Sequence, residues 1–141
     1  MLFRSYPTKL PLISAGEIGK LYEGKSRTGH FDGVLTVVNR LFELVKPKYA
    51  IFGEKDFQQL FLIKNYVEQN NIPVTVIAAP LIRDIDGLAL SSRNLRLSVA
   101  GRKAALVISR SLRTGAVSGD ISAMQEILES EPNFKIGRAH V

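Results

Sequence analysis

Tyr49-Ala50-Ile51-Phe52-Gly53-Glu54-Lys55-Asp56-Phe57-Gln58-Gln59 opens, and Pro73-Val74-Thr75-Val76-Ile77-Ala78-Ala79 closes, the stretch of this chain that decides its fold. Tyr49–Phe52 is a short apolar run and reads as a buried strand. Phe57–Gln69 returns to helical spacing through Leu60, Ile63 and Val67. Asn70-Asn71-Ile72-Pro73 breaks that helix, because proline cannot continue the hydrogen-bond ladder. Val74–Ala79 reads as a second buried strand. Strand, helix and strand joined by short connections, with one apolar helix face, make a parallel βαβ unit, so the fold class is α/β.

In such sheets ligands bind beyond the carboxyl ends of the strands. Gly53–Asp56 lies at that end of the first strand, and Ile82–Arg93 follows the second. Two polar runs that few folding arguments call for therefore converge on one sheet edge. In the first, Gly53 lets backbone approach a ligand where a Cβ would clash. Lys55 is a point charge suited to phosphate or carboxylate. Asp56 suits ribose hydroxyls or a magnesium ion, or else it caps the helix beside a solvated Glu54–Lys55 pair. Gln59, one helical turn after Lys55, carries an amide that donates and accepts together, as a hydroxy-acid requires. In the second run, Leu90-Ser91-Ser92-Arg93-Asn94, hydroxyls, backbone N–H groups and a guanidinium suit a triphosphate and the charge that develops as pyrophosphate leaves. The plainer alternative is a serine-rich turn with a surface arginine. Lys55 and Arg93, the cations of the two runs, are the candidates for catalysis.

The rest of the chain frames these runs. Tyr6–Leu21 reads as an extended segment or short turn, and Glu23–Gly29 (EGKSRTG) as a polar, glycine-flanked loop. His30–Val45 reads as a helix, with Val34, Val37, Val38, Leu41, Phe42 and Val45 on one face, stopped at Lys46-Pro47. Asp86-Gly87 marks a turn. Ser98 reads as the N-cap of a helix running through Ala104, Ala105, Val107, Ile108 and Leu112. Thr114–Gly119 reads as a small-residue linker and Ile121–Glu129 as a short amphipathic helix. Arg27 either binds phosphate or faces solvent. His30 is a general base, a phosphate donor, a helix cap or a structural histidine. Asp84 and Asp86 suggest a metal, but the turn explains Asp86 more cheaply. No Ser-His-Asp set, zinc spacing or glycine-rich P-loop can be assembled.

Composition narrows the function classes. The 141 residues amount to one domain or pieces of two, and 45% hydrophobic with 23% charged residues fits a soluble globular core. No apolar stretch is long enough to span a bilayer, and no leader sequence is visible. Cysteine is absent, which rules out disulfides and cysteine metal sites and fits a cytoplasmic location. The net charge of +6 comes from lysines and arginines that are scattered rather than clustered with aromatics, so a solvated basic surface is favoured over a nucleic-acid groove.

Both ends read as foreign. Ile136-Gly137-Arg138-Ala139-His140-Val141 reverse-translates as ATC GGA AGA GCA CAC GTC, a sequencing-adapter read whose next codon is a stop. Met1-Leu2-Phe3-Arg4-Ser5 can be written GTG CTC TTC CGA TCT, the reverse complement of the same adapter. Setting aside Arg4 and Arg138 takes the net charge from +6 to +4. The domain reading is therefore 1–5 and 136–141 adapter-derived, 6–80 a partial Rossmann-like nucleotide-binding domain, and 81–135 the start of a C-terminal domain.

Three blocks, EGKSRTGHFDGV (Glu23–Val34), FGEKDFQQL (Phe52–Leu60) and DGLALSSRN (Asp86–Asn94), resemble the pantothenate synthetase (pantoate–β-alanine ligase) family in order and spacing. The match covers most of Leu21–Leu112. The resemblance implies the back half of a Rossmann-like nucleotidyltransferase domain followed by a smaller C-terminal domain. It implies a two-step ligation in which pantoate and ATP, with Mg²⁺, give a pantoyl-adenylate that the β-alanine amine then attacks. It also implies a cytoplasmic homodimer with no nucleic-acid or membrane partner. Carried over by motif, Gly53, Glu54, Lys55 and Asp56 lie on ATP and Gln59 binds pantoate. Ile82 contacts ATP near the nucleoside, and Leu90, Ser91, Ser92 and Arg93 hold the phosphates. No metal-ligating residue is assigned.

The sequence departs from the family pattern in places. The HxGH-type run with its proton-donor histidine, and the glutamine after it, are not among these residues. Thr28 stands where the family usually has proline. The expectation is a chain that is inactive alone, with a sheet edge and apolar helix faces uncovered. The alternatives are another adenylating enzyme of the same fold, or a non-catalytic nucleotide-binding module.

Overall fold

The computed structural model describes residues 11–132; the adapter-like ends, His140 included, lie outside the described residues. The chain divides after Pro80 into two compact units.

The first unit contains the βαβ arrangement. Helix α1 (Glu23–Ser26) and helix α2 (His30–Val45) precede strand β1 (Tyr49–Gly53), helix α3 (Phe57–Gln69) and strand β2 (Thr75–Ala79). The strands pair in parallel, from Tyr49 opposite Thr75 to Gly53 opposite Ala79. A parallel pair needs a crossover, and α3 supplies it. Helix α2 ends where Lys46 takes a left-handed conformation ahead of Pro47. The core forms between Phe31, Leu35, Val38 and Phe42 of α2 and Leu62, Ile63 and Val67 of α3, with Ala50, Phe52 and Val76 of the sheet packed against it. Phe42 meets Phe52 edge-on at 6.5 Å, a favoured aromatic geometry.

Two expectations need correction. Helix α2 does not bury the whole valine-rich face. It buries Phe31, Leu35, Thr36, Val38 and Phe42, while Val37, Leu41 and Val45 are exposed. The apolar face of the helix is wider than the surface that covers it, and only the edge carrying both phenylalanines packs into the core with α3. Neither strand is buried on both sides. Alternation turns Ala50, Phe52 and Val76 toward the core, but Tyr49, Ile51 and Ile77 share the other face and are exposed.

The stretch before α1 is tied to α2 by side chains. The Ile13 amide donates to Thr36 Oγ1 at 2.9 Å and the Ala15 amide to Asp32 Oδ1 at 2.7 Å. Thr36, a buried polar residue, thereby both accepts from Ile13 and donates to the Asp32 carbonyl at 2.7 Å. The expected loop Glu23–Gly29 contains the helical turn α1, with Gly29 at φ +74 setting the start of α2.

The second unit holds an antiparallel bridge between Arg83 and Ala89, a 3-10 turn at Ser92–Arg96, and helices α4 (Val99–Ser118) and α5 (Ile121–Glu129). Ser98 caps α4 by accepting from the Gly101 amide at 3.0 Å, as expected. Thr114–Gly119 is not a linker, because Thr114–Ser118 complete α4. Small residues do not by themselves stop a helix. The stop is Gly119, at φ +68, after which Asp120 caps α5 through the amides of Ser122 and Ala123. Gly115 stays small because Met124 of α5 fills the space a Cβ would need. Ser111, almost fully buried, donates to the Met124 carbonyl at 2.8 Å and ties the two helices together.

Candidate functional site

In the first unit the candidate residues collect at the carboxyl end of β1. Gly53 ends the strand at φ −76, and a Cβ there would meet nothing nearer than the Lys55 nitrogen at 4.0 Å. Neither backbone angle nor packing demands glycine at that point, and the space in front of it is open. Glu54–Asp56 then make one 3-10 turn that leads directly into α3. Asp56 is the residue before the helix, but its side chain makes no capping hydrogen bond. Its carboxylate instead faces Lys55 Nζ at 3.4 Å, with 39% of the lysine and 59% of the aspartate side chain exposed. The capping alternative is therefore not realised. An exposed pair at that separation contributes little to stability, and both groups keep room for other partners.

Gln59 is half-buried and lines a recess of about 500 Å³ with Gly29, His30, Gly33, Val34, Val37 and Val38. The fold thus brings Gln59 and His30 to one open surface recess, joining two motifs that lie far apart along the chain. The His30 ring packs 5.0 Å from that of Phe31, and its amide donates to the Arg27 carbonyl at 3.0 Å. Arg27 is neither free nor fully solvated: its guanidinium pairs with Glu23 four residues back, and its Nε is buried without a hydrogen-bond partner.

Gln58 is a residue that motif reasoning passed over. Its Nε2 donates to the carbonyls of Ile18 and Leu21, each at 2.9 Å, and its Oε1 accepts from the Glu23 amide at 3.1 Å. The only signal in the sequence was the doubled glutamine. Which of the two faces the chain and which the cavity is set by packing.

In the second unit, Ile82 and Leu90 are brought together by a hydrogen bond from the Leu90 amide to the Ile82 carbonyl at 3.0 Å, and both side chains are exposed. Ser91 Oγ accepts from the Arg93 amide at 3.2 Å, and the Asn94 side chain donates to the Ala89 carbonyl at 2.9 Å. Ser92 and Arg93 open the 3-10 turn and are exposed. The serine-turn alternative holds for the backbone of Ser91, while the Ser92 hydroxyl and the Arg93 side chain remain open to solvent.

The preceding turn is braced by charge. Gly87 takes φ +92, and the Leu88 amide donates to Asp86 Oδ1 at 3.1 Å. Arg102 of α4 reaches Asp84 at 2.6 Å and Asp86 at 2.7 Å through the same nitrogen. The Ile85 backbone N–H, and then Arg102, hold the Asp84 carboxyl below the usual carboxylate range. This bridge, which no spacing rule revealed, accounts for the aspartate pair without a metal. Among the described residues no group of three or more His, Cys, Asp or Glu could hold a metal ion, and no helix is long and apolar enough to cross a membrane.

Comparison with known proteins agrees with these motifs. The sequence model described as Pantoate-beta-alanine ligase matches residues 4–139. The pantothenate synthetase of Aquifex aeolicus is 51% identical over 108 residues, which are 77% of this chain and 37% of that protein. That of Corynebacterium efficiens is 54% identical over 108 residues, 75% of this chain and 38% of that protein. The crystal structure of pantothenate synthetase from Thermus thermophilus superposes with a TM-score of 0.85 at 43% identity, covering 93% of this chain and 51% of that one. The pantoate-β-alanine ligase of Francisella tularensis, complexed with β-γ ATP and β-alanine, has a TM-score of 0.68 at 40% identity, covering 81% of this chain and 44% of that one. The chain thus spans between about a third and a half of the length of the relatives it matches. With the α/β unit, both motif runs and these likenesses together, the chain belongs to the pantoate-β-alanine ligase family.

Proposed function

We propose that the whole protein condenses pantoate with β-alanine, using ATP, to give pantothenate by way of a pantoyl-adenylate. The observation that carries this reading is the position of Gln59. It shares a recess with His30 and stands just past the open Lys55–Asp56 pair at the end of β1. An amide suited to a hydroxy-acid thus follows, four residues on, a cation suited to phosphate.

In the first step a pantoate carboxylate oxygen attacks the α-phosphorus of ATP. The new O–P bond forms as the bond to pyrophosphate breaks, and the electron pair leaves with pyrophosphate. In the second step the β-alanine amine attacks the acyl carbon. A C–N bond forms, the C–O bond to AMP breaks, and the amine gives up a proton. Gln59 orients pantoate by donating and accepting at once. Lys55 and Arg93 set positive charge against the phosphates, where negative charge grows in the transition state. Leu90, Ser91 and Ser92 support the phosphates, Gly53 and Glu54 bring backbone close to the nucleotide, and Ile82 offers an apolar contact to the nucleoside. Arg27 and His30 are candidates at the acid end. Magnesium keeps most of its water and leans on phosphate oxygens, so one exposed carboxylate suffices to hold it, and Asp56 fits that part. Bound there, the ion would neutralise phosphate charge. The same reading makes the whole protein a cytoplasmic homodimer.

The test is to express the complete gene and supply pantoate, β-alanine and ATP. AMP and pantothenate are expected, with pyrophosphate released from pantoate and ATP even when β-alanine is left out. No AMP from the full mixture would overturn the ligase reading. AMP that appears without any adenylate intermediate would overturn the two-step route.

A further inference from the structure

Gln58 spends almost its whole hydrogen-bonding capacity on backbone. Nε2 donates twice, to Ile18 O and Leu21 O, and Oε1 accepts once, from Glu23 N. A surface glutamine at the start of a helix has no need of such a set. Its partners lie 35 to 40 residues away in the sequence, so the bonds join α3 to a distant segment.

Two further observations show what that segment does. Tyr22, flanked by two of the clamped residues, sits at φ +48 and ψ −116, a conformation that non-glycine residues rarely adopt. Such a residue persists only where its surroundings hold it, and Gln58 grips the peptide groups on both sides. From the clamp a chain of backbone hydrogen bonds runs to the recess. The Gly24 amide donates to Leu21 O at 2.8 Å, the Arg27 amide to Gly24 O at 3.3 Å, and the His30 amide to Arg27 O at 3.0 Å. The Leu21 carbonyl is shared by Gln58 and by the first link of that chain. His30 then lines the recess together with Gln59, the immediate neighbour of Gln58.

We propose that Gln58 is a positioning residue. By clamping the segment Ile18–Glu23 onto the first turn of α3, it holds His30 against Gln59 and keeps the acid pocket at its working width. The pocket's ligand rests on the pantoate reading above; the clamp itself does not. Adjacent glutamines divide the work, with Gln58 building the pocket and Gln59 reading its contents.

The experiment uses the product of the complete gene as parent and three variants of it at the positions numbered here, Gln58→Glu, Gln58→Ala and Gln59→Ala. Backbone amide hydrogen exchange is followed at Gly24, Arg27 and His30, and pantoate is titrated by calorimetry. Gln58→Glu keeps size and an acceptor for Glu23 but cannot donate to the two carbonyls. It is expected to speed exchange at the three amides by roughly tenfold while core amides of Leu62 and Ile63 stay protected. It is also expected to weaken pantoate by roughly tenfold, as the competent pocket becomes a minor population. Gln59→Ala should abolish pantoate binding and leave the three amides as slow as in the parent. If the parent binds pantoate and Gln58→Glu and Gln58→Ala bind it equally well, the proposal fails. If the parent does not bind pantoate, the pocket reading falls and exchange alone decides the clamp: unchanged protection in both Gln58 variants overturns it, and faster exchange confined to 21–30 upholds it.

Discussion

Gly24→Ala is the sharpest test of how the first motif is built. Gly24 is buried in the short helix α1 at an ordinary helical conformation, so backbone freedom is not why it is glycine. Close approach is. A methyl group there would overlap the Gly19 carbonyl oxygen, stand 2.7 Å from the Gly19 carbonyl carbon, and lie 3.3 Å from Phe31 Cδ2. Comfortable carbon–carbon contact begins at about 3.5 Å, so the carbonyl carbon of Gly19 must retreat by most of an ångström and its overlapped oxygen by more, and as backbone neither has a rotamer to swing away. Overpacking of this kind costs about 1–3 kcal/mol. The intrinsic preference of helices for alanine returns at most about 1 kcal/mol, and a single turn captures little of it. A net loss of about 1–2 kcal/mol is expected. With a urea slope of about 2 kcal/mol/M, the unfolding midpoint should fall by roughly half to one molar. Equilibrium urea unfolding followed by circular dichroism measures it. A midpoint equal to or above that of the parent would refute the packing account of this motif.

Three further outcomes follow from the same structure. Ile63, at 0% exposure in the core between α2 and α3, should lose about 2–5 kcal/mol on change to alanine, read from the same urea curves; a loss below about 0.5 kcal/mol would mean the core is placed wrongly. Asp84 has a depressed folded pKa, owed first to the Ile85 N–H and then to Arg102, so its contribution is present above the ordinary carboxylate pKa of about 3.9 and is lost as pH falls through the folded value. Arg102→Ala should therefore move the Asp84 titration, followed by carboxyl NMR, upward toward the ordinary value, and an unmoved midpoint would refute the role of the guanidinium. Under the ligase reading, Lys55→Ala in the product of the complete gene should weaken ATP binding by roughly ten- to a hundredfold, the worth of a hydrogen bond to a charged group, and undiminished binding in calorimetry would remove Lys55 from the site.

The βαβ unit was legible because its signals are local. Apolar runs, helical spacing and Pro73 act within a few residues, and α2, α3 and α5 begin and end where spacing and breakers place them. Two local signals misled. The small residues Thr114–Ser118 resemble a linker but complete α4, because Met124 from α5 occupies the space that Gly115 leaves. The valines of α2 marked its apolar face, but a wide apolar face does not announce which edge of it will be covered, and the covered edge carries Phe31 and Phe42.

The sequence by itself determined the fold class, the chemistry available at Gly53–Gln59 and Leu90–Arg93, and the family those runs resemble. Each of these depends on residue type and short-range order, which a linear chain carries in full. Tertiary structure alone decided the division of labour within the Gln58-Gln59 pair, the meeting of Gln59 with His30 in one recess, and the bridging of Asp84 and Asp86 by Arg102. Those facts join residues 16 to 40 positions apart. Contacts at that separation depend on how the elements pack in three dimensions, and no local propensity encodes them.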